Sequence, residues 1–235
     1  MSHRIRPGTS ADLTATTDLY MQSFDRETLL DFMFPSRHTD SNPFREWVTR
    51  RFRMRYWTPG YVLTMLNDAK GRTVAFTWWH KPHDSLSFRE RWLSLQPNGA
   101  TDSSHLDAWV GPIVLAALKL HSYIFPLRHV DSHRLGIYDR VFSTIEPDIL
   151  NTPRRRSAWY LSSLGVSPDA QGSGYGSLLL QHGLEAADRA GVPTWLVGLS
   201  GLDKFYERFG YVEVARANVG ELKDWDGGII MFRGE

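Results

Sequence analysis

Between Trp159 and Leu180 the chain reads Trp-Tyr-Leu-Ser-Ser-Leu-Gly-Val-Ser-Pro-Asp-Ala-Gln-Gly-Ser-Gly-Tyr-Gly-Ser-Leu-Leu-Leu. An apolar strand runs into a glycine-rich turn, and the turn opens a helix. That order builds an anion site. The first amides of a helix lack internal partners, and glycines let a phosphate come close to the backbone. Gly172, Ser173, Gly174, Tyr175 and Gly176 can aim several N–H donors at one pyrophosphate. Gln171 opens the loop and can bond a phosphate or the adenine side. The dinucleotide fingerprint needs Gly-x-Gly-x-x-Gly; glycines at 172, 174 and 176 do not fit it.

The elements that must position this loop follow from periodicity and punctuation. A short strand at His3–Arg6 is closed by Pro7-Gly8, and Thr9 or Ser10 can cap the helix that follows. Leu13, Leu19, Tyr20, Phe24 and then Leu29 and Leu30 recur at roughly helical spacing. A second helix is expected near Phe44–Tyr56. Strands at Tyr61–Leu66 and Thr73–His80 form a hairpin around Asp68–Gly71. Helices are expected near Ser85–Leu95 and from Ser104 to Tyr123, with a polar break at Gln96–Gly99 and Pro112 as a kink or a new start. A strand at Ala158–Val166, a helix at Gly174–Ala190, a strand at Thr194–Leu199, a helix at Leu202–Phe209 and strands at Tyr211–Ala215 and Ile229–Arg233 complete the chain.

Gln171-x-x-Gly174-x-Gly176 directly after Val166-x-Pro168 resembles the acetyl-CoA signature of the GCN5-related N-acetyltransferases, the GNAT superfamily. Phe205-Tyr-Glu-Arg-Phe-Gly-Tyr211 resembles that superfamily's other diagnostic segment and stands at the expected distance. The resemblance implies an α/β (α+β) GNAT fold: a mixed, mostly antiparallel, twisted sheet flanked by helices. It implies one domain over residues 1–235, with residues 82–157 a long helical insertion between strands 3 and 4. Long insertions in compact domains are often lids or binding elements.

The resemblance also implies roles. Acetyl-CoA would be the co-substrate. The backbone of Leu164, Gly165 and Val166 would hold the pantetheine arm, and the Leu164 N–H would face the thioester carbonyl. Tyr206 would be the general acid for the leaving sulfur. Ser200 would bond the pantetheine or fix the strand end. Phe205, Phe209 and Tyr211 read as core. No base stands where relatives carry a glutamate or histidines on the fourth strand, because the matching positions hold Tyr160 and Ser162. A water relay through those two, His80, a carboxylate from the insertion, or an acceptor that arrives neutral all stay open.

The remaining features are weighed more briefly. Arg45, Arg50, Arg51, Arg53 and Arg55 form either a solvated helix face or a site for the CoA phosphate tail or nucleic acid. Trp78-Trp79 and Trp225-Asp226-Gly227 either pack the core or enclose an acceptor amine. Net charge is +1 and the charges are interspersed, which argues against nucleic acid. There are no cysteines, so disulfides, thiolate metal sites and a cysteine nucleophile are excluded. The nine histidines show no metal-ligand spacing, and no metal is expected. No apolar leader precedes Pro7, and the apolar run Ala108–Leu120 is shorter than the ~20 residues a bilayer needs. The expectation is a cytoplasmic N-acetyltransferase, monomer or homodimer, acting on a small primary amine without a membrane partner. A CoA-binding regulatory module and a protein or peptide lysine acetyltransferase are the alternatives.

Overall fold

The computed structural model describes residues 3–87, 90–91, 105–128 and 130–235. Its centre is a seven-stranded sheet of order β1-β2-β3-β4-β5-β7-β6. The strands are β1 (Arg4–Pro7), β2 (Tyr61–Asn67), β3 (Thr73–His80), β4 (Trp159–Val166), β5 (Thr194–Gly198), β6 (Val212–Arg216) and β7 (Ile229–Arg233). Only the β4–β5 pair is parallel.

Helices cover both faces of the sheet, so β2 and β3 are buried along nearly their whole length rather than at alternate residues. On one face lie α1 (Leu13–Ser23), α2 (Thr28–Met33), α3 (Asn42–Trp57) and α6 (Ile137–Ile149). They pack on Phe76, Trp78, Trp195 and Phe232. On the other face, α8 (Tyr175–Arg189) and α9 (Asp203–Glu207) pack on Trp79, Leu161 and Met231. The contact between α8 and β3 is close enough to require glycine: a Cβ on Gly183 would lie 2.2 Å from Trp79 Nε1.

Three of the sequence expectations are adjusted, and one falls mostly outside the described residues. The first long helix is two, because the chain turns at Phe24–Glu27 and the Glu27 side chain caps α2 by accepting from Leu29 N–H. The expected helix at Ser85–Leu95 lies mostly outside the described residues, as does the Gln96–Gly99 break; described there are a 3-10 turn at His83–Ser85 and helical residues at Glu90 and Arg91. Helix α4 (His105–Ile124) continues through Pro112. Three helices were not anticipated: α5 (Ser132–Leu135), α6 and α7 (Pro153–Arg156). The sequence there gives few breaks, yet Ile137, Val141 and Ile149 share the buried face of α6.

Two irregularities in β4 matter most. Trp78 pairs with Ser163 and Trp79 with Leu161, so Ser162 is a bulge residue facing no partner on β3. On the other edge, pairing with β5 covers only Trp159–Leu161 opposite Thr194–Leu196. Beyond Leu161 the two strands part.

Candidate active site

The parting of β4 from β5 leaves backbone groups without a ladder partner. Ser167 N–H donates to Val74 O, on the β3 side. Strand alternation then turns Gly165 toward β3 and aims the amides of Leu164 and Val166 into the gap. The Val166 carbonyl, on the same edge, accepts from Ser23 Oγ at 2.9 Å and Gln171 Nε2 at 3.2 Å.

A cleft of about 670 Å³ opens over this edge. Leu164 and Val166 form one side, Gln171, Gly172, Gly174, Tyr175 and Gly176 the next, and Ser200, Phe205 and Tyr206 the third. Gly172 and Gly174 have φ of 76° and 80°, and a Cβ at either would meet nothing within 4 Å. Positive φ calls for glycine here, and the space above the loop is open. Gly174 caps α8 without a side-chain bond, so the helix's first amides have no side-chain cap. This cradle fits a pyrophosphate. Arg26 and Arg208 stand on the cleft wall, Arg208 with its guanidinium 5.4 Å from the Phe205 ring centre.

Not every residue named from sequence reaches this cleft. Gly165 faces the opposite side, where a Cβ would press on Phe76 at 2.5 Å. Ser173 is not on the cleft wall. Phe205, expected in the core, is only partly buried and lines the cleft.

A second cavity, about 420 Å³, meets the first. Both are lined by Phe24, Glu27, Leu164, Leu199, Leu202 and Tyr206. The second cavity passes through the gap in the sheet: Leu161 and Leu196 from the α8 face and Tyr160 and Val197 from the α1 face all line it. Its far walls come from Tyr20, Trp47 and Arg51 and from the segment between β3 and β4, which contributes Leu135, Tyr138 and Asp139.

Glu27 is the residue that sequence reasoning missed. It is 8% exposed and stands where the two cavities join. One carboxylate oxygen, Oε1, accepts both Leu29 N–H at 3.1 Å and Trp225 Nε1–H at 2.7 Å. Burial pushes its carboxyl above the usual range, against the pull of those two bonds. No spacing marked it, since it comes from the α1–α2 turn rather than from a strand. Tyr206 lines both cavities, and burial raises its phenol further above the usual value. The Ser162 hydroxyl, on the bulge, is buried against the second cavity without a hydrogen-bond partner.

Several other expectations are corrected. Trp78 and Trp79 are 0% and 3% exposed and pack into opposite cores, so neither encloses an acceptor. Trp225 is also buried but does line the second cavity. His80 sits against Tyr61, with its ring pKa lowered by burial and by the Arg55 charge, and lines neither cavity. The α3 arginines do not form one solvated face: Arg45 pairs with Asp18 at 2.5 Å, whereas Arg55 is 7% exposed. Among the described residues no cluster of three or more potential metal ligands occurs, and no helix is long and apolar enough to cross a membrane.

The comparisons agree with this fold. A profile of the acetyltransferase (GNAT) domain matches residues 141–213, which hold β4, the glycine loop, α8, β5 and α9. The fold is similar to that of a histone acetyltransferase HPA2-related acetyltransferase from Corynebacterium glutamicum, at TM-score 0.59 and 18% identity over 99% of this chain and 96% of that one. It is also similar to the ribosomal-protein-S18-alanine N-acetyltransferase of Escherichia coli, at TM-score 0.50 and 15% identity over 99% and 93%. The mostly antiparallel seven-stranded sheet flanked by helices matches the GNAT fold. Residues 141–213 therefore match the GNAT acetyltransferase domain, and the chain as a whole shares the fold of these solved structures.

Proposed function

We propose that this protein acetylates the primary amine of a small molecule by direct attack within a ternary complex, with the donor in the larger cleft and the acceptor in the smaller cavity. The observation that carries this reading is the junction. The two cavities meet where a backbone edge, a phenol and a carboxylate converge, Leu164, Tyr206 and Glu27, beside Phe24, Leu199 and Leu202. A volume of about 420 Å³ enclosed partly by the segment between β3 and β4 suits a small acceptor better than an extended protein surface.

Acetyl-CoA, when bound, supplies an activated acyl group as a thioester. The amides of the 172–176 loop and the start of α8 hold its phosphates, with Arg26 and Arg208 on the flank. The Leu164 N–H points into the gap and stabilises negative charge developing on the acyl oxygen. Glu27 accepts the proton of the incoming ammonium. Its Oε1 is held by two donors, and Oε2 is left for that task. Tyr206 stays protonated across the working pH range and donates its O–H toward the sulfur. Positioning both reactants at one junction provides the rest of the acceleration. We further propose a single domain, cytoplasmic, as monomer or homodimer.

The test joins calorimetric titration of acetyl-CoA with a free-thiol assay over a panel of amines. Binding of acetyl-CoA with amine-dependent thiol release supports the enzyme. Binding without release for any amine would favour a CoA-sensing module instead.

A further inference from the structure

The acceptor cavity has a second pole, opposite in charge to Glu27. Arg51 lines its wall, with the guanidinium 4.8 Å from the centre of the Trp47 ring. Beneath the floor, Arg55 is buried and donates to Ser163 Oγ at 3.3 Å; Ser163 itself lines the cavity. Among the described residues no carboxylate pairs with either guanidinium. Neighbouring arginines differ: Arg6 has Asp12, Arg37 has Asp31, Arg45 has Asp18 and Arg140 has Glu221. Burial, and then the like charge of Arg51, lower the Arg55 pKa to about 10, which leaves it cationic at neutral pH.

Around these two cations stand the phenols of Tyr20, Tyr138 and Tyr160, all on the cavity wall. The Tyr138 and Tyr160 side chains bond each other, and both feel the Arg51 charge. Tyr20 lies within electrostatic reach of Arg51, Arg55 and Glu27 alike, so it stands between the poles. The other acid facing the cavity is Asp139, which is exposed and pairs with neither arginine. Of the two, Arg55 is buried and Arg51 is exposed; for Arg55, a guanidinium without a counter-ion costs roughly several kcal/mol unless something compensates it. A ring of hydroxyl donors on two cations is what an oxyanion requires, and the planar guanidinium fork matches one.

We propose that the acceptor carries an oxyanion, of carboxylate or phosphate type, at the end opposite its amine. The oxyanion docks at Arg51 with Tyr20, Tyr138 and Tyr160, while the amine faces Glu27 and an apolar body lies along Phe24 and Trp225. This rests on the acetyltransferase reading for the direction of the amine, but the binding of the oxyanion can be measured without transfer.

The test uses three series of matched length, from three to six carbons: n-alkylamines, ω-aminoalkanoates and ω-aminoalkylphosphonates. Each is titrated into the protein by calorimetry, with and without CoA, and each is assayed for thiol release from acetyl-CoA. At least one acid series should bind ten-fold or more tightly than its matching alkylamines, and the better series names the oxyanion. In Arg51→Met the acids should fall to the level of the alkylamines, while acetyl-CoA affinity stays as in wild type. If Arg51→Met does not fold, Tyr160→Phe serves, with an expected loss of three-fold or more for the acids. Alkylamines binding as well as the acids, no acid binding at millimolar concentration, or an acid preference that survives Arg51→Met would each overturn the proposal. Should acetyl-CoA itself not bind, the transferase reading fails, and the acid-against-amine comparison still decides this one.

Discussion

Glu27→Gln isolates the base from the structure around it. Both protein hydrogen bonds to the Glu27 carboxylate arrive at Oε1, from Leu29 N–H and Trp225 Nε1–H. A glutamine carbonyl can accept both, so the α2 cap and the Trp225 anchor survive, and what is lost is a proton acceptor at Oε2. A positioned general base contributes roughly 10²–10⁴-fold. That corresponds to about 2.7–5.4 kcal/mol of activation free energy. The expected result is a fall in kcat of that order, with acetyl-CoA affinity within three-fold of wild type. The pH profile gives a second reading. Burial holds the Glu27 carboxyl above the usual carboxylate range, so in the fold it is protonated at low pH and useless as a base. Activity should rise with pH through that raised value, and this limb should vanish in Glu27→Gln. Stability carries the same signature with the opposite benefit. A carboxyl that ionises less readily in the fold than in the unfolded chain destabilises the fold as pH rises through the interval between the two pKa values. Glu27→Gln should therefore match wild-type Tm at low pH and gain on it toward neutrality. Activity above a third of wild type in a folded Glu27→Gln protein, with the acid limb intact, would refute the assignment.

Three further outcomes follow from the same geometry. Tyr206→Phe should lower kcat about ten- to hundred-fold with little change in acetyl-CoA affinity, because it deletes a donor that acts on charge developing at the sulfur; an unchanged kcat at saturating substrates removes Tyr206 from the chemistry. Gly174→Ala should cost about 1–2 kcal/mol of backbone strain at φ 80° and weaken acetyl-CoA binding, and Gly174→Glu should abolish it in a calorimetric titration. Gly183→Ala should lower stability by about 1–3 kcal/mol in denaturant melts, since the new methyl meets the Trp79 indole at 2.2 Å; a neutral result would mean that α8 can lift off β3 freely.

Much of the fold was legible because its signals are local. The glycine loop, the strand before it and the helix after it are adjacent in sequence, and each carries its own punctuation: Pro168 before, three glycines within, Gly191 after. The hairpin of β2 and β3 announces itself through β-branched and aromatic residues around Asp68–Gly71. The donor side of the site inherits that legibility. The acceptor side does not, because it is assembled from distant pieces. Glu27 comes from a turn, Arg51 from mid-helix in α3, and Tyr138 from α6. In the sequence Arg51 is one arginine of five on α3, and only its place over Trp47 singles it out. Likewise Trp78 and Trp79 look alike as a pair, and the pleat sends them into different cores. The bulge at Ser162 has no sequence mark at all, yet it decides which β4 side chains face the cavity.

The segment between β3 and β4 leaves the sheet at His80 and rejoins it beside Tyr160, and these two residues are direct partners in the ladder. The excursion therefore starts and ends at the same place and imposes nothing on the register of the strands it joins. Its described part lends Leu135, Tyr138 and Asp139 to the acceptor cavity and nothing to the donor cleft. Such an arrangement works as an interchangeable cassette. Under the proposed arrangement, altering this stretch would change which amine is chosen while leaving the residues that line the larger cleft in place.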